Sequence, residues 1–433
     1  MSDTNKMSMF TAILVSINIM IGIGIYLMPS YMAQQSGNLS FLGWGLVALI
    51  FLPVVYSVAQ LTKLFDGVGS FFSYANHSLG RGAGFISGWS YFLGFSATSA
   101  MLFLFLRDFL PQQFNITLFN NHPILFNLIF ISVFCFLNLL SLKYISKIQS
   151  AVTIIKLMPL LFVISLIFFY FNTNNFTFGL QNVSALKFTI PLALFGFWGF
   201  EASCGISHLI KGDKNTPSKV ILISFLATAL IYTLFHLSLL LIMSPENLIE
   251  FKTYGFTSFL NIKNEFLRRI SSSFISSAIL ISLLNSIFGI ILTNSSNLQS
   301  MIENNLFPMS GKLKKLNKND RPKYVILLTG LTAFVMVTLT SNTIILNSLC
   351  NMGLIITFTL LLISLILIQR KRNLKWELIP TFLGFVSLGI ATYYSWIKIG
   401  ATTTERLLFL SPLIIFELAG FALFKINERK KNC

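Results

Sequence analysis

Two pairs of glycines interrupt apolar stretches of this sequence, and each pair could free backbone groups for binding. Gly22 and Gly24 are followed by Pro29, and Gly196 and Gly199 precede Glu201. Each glycine weakens a helix by about 1 kcal/mol relative to alanine. A broken helix exposes unpaired N–H groups where its second half begins and unpaired C=O groups where its first half ends. The pattern predicts either a binding site made of main-chain groups or a place where helices pack closely.

Two charged side chains inside apolar stretches could take part in the same chemistry. Glu201 follows the second glycine pair, and Lys156 lies in another apolar stretch. A carboxylate at the centre of a membrane helix costs about 2.5 kcal/mol or more, so such acids usually face a cavity or a partner. Glu201 is interpreted as a protonatable switch, a contact for a cationic substrate, or a structural carboxylate that hydrogen-bonds unwound backbone. Lys156 is interpreted as an internal contact or as a side chain that reaches the membrane surface.

The composition indicates what kind of element carries these residues. The chain is 55% hydrophobic and only 10% charged, with a mean hydropathy of +0.76, whereas soluble domains carry about 25% charged residues. Because a membrane-spanning helix needs about 20 apolar residues, the sequence predicts an all-α polytopic membrane protein with twelve spans. The predicted spans are residues 8–33, 39–62, 82–107, 123–142, 149–171, 187–210, 218–243, 270–293, 323–341, 343–369, 376–397 and 405–425.

The distribution of lysine and arginine predicts the orientation of the spans. With both termini in the cytoplasm, 22 of the 31 basic residues fall on the cytoplasmic side and 8 on the opposite side, in agreement with the positive-inside rule. This asymmetry accounts for the net charge of +17 without a nucleic-acid partner. We therefore expect a multi-pass protein of the cytoplasmic (inner) membrane with cytoplasmic N- and C-termini.

Other functional classes lack their usual residue patterns. The four cysteines and four histidines are dispersed, so neither a disulfide framework nor a metal site is expected, and no cofactor is predicted. The sequence has no Gly-x-x-x-x-Gly-Lys-Ser/Thr motif for ATP, and its predicted spans hold no paired acids or His-x-x-x-His motif for an intramembrane enzyme. A channel would need a continuous polar lining and a receptor a sizeable soluble domain, and neither is evident. The chain is expected not to be an enzyme.

The glycine-broken segments fall in the first and sixth predicted spans, which are five spans apart. Because five is odd, these two spans would cross the membrane in opposite directions, and broken helices in inverted halves indicate a transporter's binding site. The predicted organisation is a single membrane domain with a first five-helix repeat at 8–171, an inverted repeat at 187–369, two further helices at 376–425 and a basic cytoplasmic tail at 426–433. An amino acid, with one carboxylate and one ammonium group, would suit two facing breaks.

The sequence resembles the amino acid–polyamine–organocation (APC) transporters over nearly its whole length. The resemblance implies alternating access around a central substrate, in a five-plus-five inverted repeat with two extra C-terminal helices. The similar segments are residues 22–29 (Gly-Ile-Gly-Ile-Tyr-Leu-Met-Pro) in the first span, 156–160 (Lys-Leu-Met-Pro-Leu) in the fifth, 197–201 (Phe-Trp-Gly-Phe-Glu) with Lys211 and Pro217 in and after the sixth, and 306–308 (Leu-Phe-Pro) after the eighth.

The same resemblance implies roles for individual residues. The substrate carboxylate would meet backbone N–H groups around Ile23 and Gly24, its amine would meet carbonyl groups at both breaks, and Phe195 would cap it from outside. Lys156 stands where sodium-independent relatives carry a lysine in place of a sodium ion. The expected substrate-binding residues are Met20, Gly22, Ile23, Gly24, Phe195, Trp198 and Gly199, and the expected gating or coupling residues are Glu201, Lys156 and Phe195.

The predicted function is secondary active transport of amino acids or related amines, independent of sodium, by exchange or proton coupling. The substrate stays open: Glu201 permits a polyamine or basic amino acid–amine antiporter as the alternative, whereas the apolar Ile23, Phe195 and Trp198 permit a neutral or aromatic amino acid. Relatives often carry a small hydroxyl residue where this chain has Ile23, so carboxylate binding should depend on main-chain N–H groups. The expected partners are the small-molecule substrate and the lipid bilayer, with the protein a monomer or homodimer.

Overall fold

All regular elements of the described residues are helical. The computed structural model describes residues 8–64, 71–140, 157–170, 175, 179–201, 210–213, 215–260, 265–307 and 310–432. The α-helices are α1 Met9–Met20, α2 Gly24–Ser36, α3 Leu42–Leu64, α4 Phe71–Leu79, α5 Arg81–Phe114, α6 Pro123–Asn138, α7 Leu157–Tyr170, α8 Leu180–Ala185, α9 Ile190–Phe197, α10 Thr216–Met243, α11 Pro245–Phe251, α12 Glu265–Glu303, α13 Ser310–Leu313, α14 Lys323–Leu339, α15 Thr343–Lys371, α16 Leu378–Ile399 and α17 Thr403–Asn432.

The apolar helices are those of a multi-pass membrane protein. Within the described part of the chain, seven helices are long and apolar enough to cross a membrane, namely α3, α5, α10, α12, α15, α16 and α17. Helices α1 and α2 form an eighth candidate as one span bent by 54°. Shorter apolar helices lie at α6, at α7, at Asn182–Phe197 and at α14. Each of the twelve predicted spans overlaps one of these elements.

Some helices are longer than the apolar runs that predicted them. Helix α12 has 39 residues, whereas its predicted span was 270–293. Its C-terminal third is rich in asparagine, serine and glutamine, so a count of apolar residues stops early. The buried Leu298, Met301 and Ile302 nevertheless continue the spacing of a helix face. Helix α17 likewise continues through the predicted basic tail to Asn432.

The chain folds into two compact units, each drawn from both halves of the sequence. Unit 1 comprises Met1–Val68 and Ser150–Leu284, and unit 2 comprises Gly69–Gln149 and Asn285–Cys433, so the division falls inside α12. In unit 1, α3 packs along α10, α1 packs on α10, and both α2 and α3 pack on α9. Unit 1 therefore contains both predicted helix breaks.

Unit 2 is built around α5, whose apolar stretch is entirely buried. Helices α4, α14, α15 and α17 all pack on it. The crossing with α15 is close because it is made of small residues: a Cβ added at Gly353 would lie 2.7 Å from the carbonyl oxygen of Ser90 and 2.9 Å from the Cα of Gly94. Glycines at such crossings let helix backbones approach in a membrane protein.

Candidate functional site

The first predicted break is present in the structure. Helix α1 ends at Met20 and α2 begins at Gly24, with a bend of 54° between them. Ile21 is extended (φ −69°, ψ 94°), and its N–H still donates to Ile17 of α1. The backbone therefore leaves the helix over three residues in the middle of an apolar segment.

The start of α2 presents main-chain donors. The N–H groups of Tyr26 and Leu27 both donate to the carbonyl of Ile23, at 2.9 and 3.0 Å. The N–H groups of Ile23, Gly24 and Ile25 come earlier, where a helix offers no acceptor of its own. The positive end of the helix dipole adds to their attraction for a negative group. Binding of a carboxylate by these N–H groups stays a prediction.

The second predicted break begins where α9 ends. Phe197 is the last residue of α9, Trp198 is extended (φ −60°, ψ 133°) and Gly199 has φ +115°. A side chain is strained at that φ, so glycine is required there. The chain after Glu201 lies outside the described residues until Ile210, and so the length of this break stays a prediction.

The two breaks lie against each other within unit 1. A Cβ at Gly24 would lie 3.1 Å from the Cα of Gly196 and 3.1 Å from the side chain of Phe195. A Cβ at Gly199 would lie 3.2 Å from the carbonyl oxygen of Ile19, at the end of α1. The glycines thus allow the donor end of one broken helix to approach the acceptor end of the other.

Glu201 is bonded to the unwound backbone beside it. The side chain is fully buried, and Oε2 accepts a hydrogen bond from the N–H of Gly199 at 2.8 Å. This bond matches the structural interpretation among the three that the sequence allowed. It also accounts for part of the hydrogen-bonding capacity of a carboxylate that would otherwise be costly to bury. A coupling role for Glu201 stays a prediction.

Tyr232 of α10 joins both breaks and was not predicted from the sequence. Its hydroxyl group lies 3.0 Å from the carbonyl oxygen of Met20 and 3.0 Å from that of Gly196, and it shares its one proton between these two acceptors. One fully buried side chain thus contacts the last residue of α1 and the last turn of α9. A tyrosine inside an apolar run carries no sequence signal for this role.

The helix that carries Tyr232 begins with a polar cap outside the membrane-spanning segment. Oδ1 of Asp213 accepts from the Thr216 hydroxyl at 2.6 Å and from the Asn215 N–H at 3.1 Å. These hydrogen bonds, chiefly that from Thr216, hold the pKa of the exposed Asp213 carboxyl below its usual value. The ionised form is therefore the one that caps the start of α10.

Three further observations concern residues named in the sequence analysis. Lys156, the predicted substitute for sodium, lies outside the described residues. Across the part of the chain that the structure describes, no group of three or more His, Cys, Asp or Glu side chains could hold a metal ion. The structure does bring together Met20, Gly24, Phe195 and Gly199 in unit 1, although the sequence placed them in two segments far apart.

Comparison with known proteins relates the chain to amino acid transporters. It matches the amino acid permease family over residues 7–418. It is 20% identical to the serine/threonine exchanger SteT of Bacillus subtilis, across 98% of this chain and 97% of that protein. It is 24% identical to the glutamate/serine transporter AimA of Bacillus subtilis, across 56% of this chain and 48% of that protein. A putative amino-acid transporter of Clostridium perfringens is 26% identical, across 55% of this chain and 53% of that protein. The alignments with AimA and the Clostridium protein thus span about half of those relatives.

Among solved structures, the chain is similar to a crystal structure of a mutant manganese transporter from Eremococcus coleocola. The TM-score is 0.56 at 15% sequence identity, over 97% of this chain and 94% of that chain. At this identity the similarity shows the fold alone.

The fold and the geometry define a multi-pass membrane protein, helical in all its described regular elements, with a broken first helix in which Gly24 at the start of α2 lies against the end of α9. The chain belongs to the amino acid permease family, and its relatives are membrane transporters, not enzymes.

Proposed function

We propose that this protein is a secondary active transporter that moves an amino acid across the cytoplasmic membrane by alternating access. The observation that carries the proposal is the contact between the two breaks, in which Gly24 lies against Gly196 and Phe195. The proposed arrangement is twelve spans with both termini cytoplasmic, as a five-plus-five inverted repeat followed by two helices. The protein acts by exchange or proton coupling, without sodium, as a monomer or homodimer, and binds no nucleic acid.

The carboxylate of the substrate binds at the start of α2. The N–H groups of Ile23 and Gly24 have no acceptor within the helix, and an ionised acceptor strengthens each such hydrogen bond to about 1.5–3 kcal/mol. The side chain of Ile23 offers no hydroxyl group. Recognition of the carboxylate therefore depends on the main chain, and a longer side chain at Gly24 would collide with α9.

The ammonium group of the substrate binds at the carbonyl groups where α1 and α9 end. Each carbonyl oxygen has two lone pairs, and Tyr232 uses one lone pair of Met20. The other can accept from an ammonium group, together with the carbonyls of Phe195 and Trp198. Trp198, which follows the last residue of α9, has an extended backbone.

Small neutral amino acids are the first substrates to test. The names of both Bacillus relatives include serine, and the carboxylate of Glu201 is bonded to the backbone of Gly199, which reduces its availability to a cationic side chain. A polyamine or basic amino acid–amine antiporter is the alternative, since the acidic side chain of Glu201 lies beside the second break.

The test is exchange by purified protein in liposomes. Vesicles loaded with one unlabelled compound are challenged with the labelled form of another, across serine, threonine, glutamate, alanine, arginine, lysine, ornithine and putrescine. We expect exchange of at least one amino acid without a sodium gradient. Failure of every compound, with or without proton and sodium gradients, would exclude the proposed function. Stimulation by sodium would exclude the role proposed for Lys156.

A matched pair of glycine variants tests the site. Gly24→Leu places its side chain against Phe195 and Gly196 and is expected to abolish exchange while the protein still inserts into the membrane. Gly389 of α16 has no atom within 4 Å of an added Cβ, so Gly389→Leu is expected to retain exchange. Full activity of Gly24→Leu would mean that the first break is a packing feature only.

A further inference from the structure

His236 is a buried titratable side chain that the proposed transport mechanism does not use. It lies on α10 and is completely inaccessible to solvent. Its Nδ1 lies 3.1 Å from Nε1 of Trp44, and its Nε2 lies 3.2 Å from the hydroxyl oxygen of Ser40. Trp44, in the first turn of α3, and Ser40, two residues before α3, are also fully buried. Both ring nitrogens of the imidazole therefore have a protein partner.

These partners define the form of the imidazole. The indole nitrogen of Trp44 can only donate a hydrogen bond, so Nδ1 of His236 must accept and cannot carry a proton. The neutral ring then carries its proton on Nε2, from which it donates to Ser40. His236 is thus held in one tautomer and one orientation, and it fixes the direction of the Trp44 indole.

The oriented indole lies directly against the second helix break. A Cβ added at Gly196 would lie 2.5 Å from Cζ3 and 2.9 Å from Cη2 of Trp44. The indole also contacts Tyr232 and Phe197 edge-on, with ring centroids 4.9 and 6.0 Å apart. The last turn of α9 is therefore in contact with a side chain whose position depends on His236.

His236 and Tyr232 act from the same face of α10. They are four residues apart, which places them one helical turn from each other. Tyr232 holds the carbonyl groups of Met20 and Gly196 by hydrogen bonds, and His236 holds the indole that packs on Gly196. One helix face thus supports the second break through a hydrogen bond and through a packed ring.

We propose that His236 is a positioning residue of the transport site, which holds Trp44 in one orientation against Gly196 and so fixes the backbone at the end of α9. The inference rests on the proposed function, because the backbone so fixed belongs to the proposed amino acid site. His236 acts through Trp44 and not by contact with the substrate, and it keeps its neutral form with the proton on Nε2.

The test compares His236→Phe, Trp44→Phe and the double variant, with His122→Phe as the control, since His122 is exposed. Each protein is assayed for apparent melting temperature in detergent and for the KM of exchange, using the compound of the panel above that the wild type exchanges fastest. His236→Phe leaves the Trp44 N–H buried without an acceptor, so we expect a lower melting temperature. We also expect a KM raised about tenfold, which corresponds to 1.4 kcal/mol of lost binding.

The double variant separates positioning from stability. In the double variant no Trp44 N–H is left without an acceptor, so the melting temperature should fall by less than the sum of the two single losses, although Ser40 still loses its partner and a smaller ring replaces the indole. The KM should stay raised, because neither phenylalanine fixes the orientation of a ring at Gly196. A KM that returns to the wild-type value would overturn the proposal and leave a structural role only. His122→Phe should change neither quantity.

A measurement that does not depend on transport completes the test. In protein labelled with ¹⁵N-histidine, the side-chain signal absent from His236→Phe reports on His236. We expect an unprotonated Nδ1 and a protonated Nε2 in the wild type, and loss of this single form in Trp44→Phe. A protonated Nδ1 in the wild type would overturn the inference. If the wild type exchanged no compound, the proposed function would be rejected. The spectrum would still show whether His236 orients Trp44.

Discussion

Replacement of Gly199 by alanine tests the geometry of the second break most sharply. Gly199 has φ +115°, and a residue with a Cβ held in such a region costs about 1–3 kcal/mol. The added Cβ would also lie 3.2 Å from the carbonyl oxygen of Ile19, which is closer than ordinary contact. Because 1.4 kcal/mol is a factor of ten, the backbone cost alone would reduce the population with the native break by about 5- to 150-fold.

The assay measures the melting temperature of the purified variant and its KM for exchange in liposomes. We expect Gly199→Ala to lower the melting temperature and raise the KM, since the ends of α1 and α9 must separate. Gly389→Ala is the control. Gly389 lies inside a helix and an added Cβ would meet no other atom there, so the change to alanine should increase stability by about 0.5–1 kcal/mol. The two variants are thus expected to shift the melting temperature in opposite directions. A Gly199→Ala protein as stable as the wild type, with an unchanged KM, would refute the reasoning.

Three further substitutions probe the supports of the site. Tyr232→Phe removes the hydroxyl that joins the two breaks, and we expect a cost of about 1–3 kcal/mol for the buried groups left unpaired, seen as a lower melting temperature and a higher KM. Asp213→Ala removes the cap of α10: because hydrogen bonding lowers the Asp213 pKa in the folded protein, the stabilisation is present above the usual value of 3.8 and is lost as the pH falls through the lowered pKa. The variant should therefore melt below the wild type at pH 7, and the difference should vanish at sufficiently acidic pH. Gly353→Ala places a Cβ 2.7 Å from the carbonyl of Ser90, so we expect overpacking to cost about 1–3 kcal/mol and to lower the melting temperature.

Each of these expectations has an outcome that contradicts it. Unchanged exchange kinetics in Tyr232→Phe would mean that the breaks hold their geometry without α10. A difference between Asp213→Ala and the wild type that grows on acidification would reverse the sign deduced for the cap. Increased stability of Gly353→Ala, like that expected for Gly389→Ala, would mean that the crossing of α5 and α15 has room to spare.

The sequence was sufficient to predict membrane helices that overlap those of the described residues, the break after α1 and the start of the break after α9. Apolar runs of about 20 residues locate membrane helices well, because every backbone group in a membrane must be satisfied within a helix. Glycines at 22 and 24 signalled the end of α1, and those at 196 and 199 signalled the end of α9. Helix ends beyond the apolar region were harder to predict from the sequence. Helix α12 continues through polar residues, and only the spacing of its buried residues indicates a helix there.

The supports of the breaks could not be predicted, because they depend on contacts across almost 200 residues. Trp44 and His236 lie in separate helices, and nothing in either local pattern indicates that one donates to the other. Tyr232 was one aromatic residue among many in apolar segments. For Glu201 the sequence allowed several roles, because burial and spacing do not define which backbone N–H a carboxylate will meet. The structure adds the bond to Gly199.

The central claim is that main-chain N–H groups at the start of α2 bind the carboxylate of an amino acid, and competition by modified substrates tests it most directly. In liposomes that exchange labelled serine, or another amino acid of the panel, we would compare inhibition by the same amino acid, by its carboxamide and by the amine that lacks the carboxyl group. Two charge-assisted hydrogen bonds of about 1.5–3 kcal/mol each predict that the carboxamide and the amine inhibit at least about 100-fold more weakly. Equal inhibition by all three compounds would show that the carboxylate is not what the first break binds.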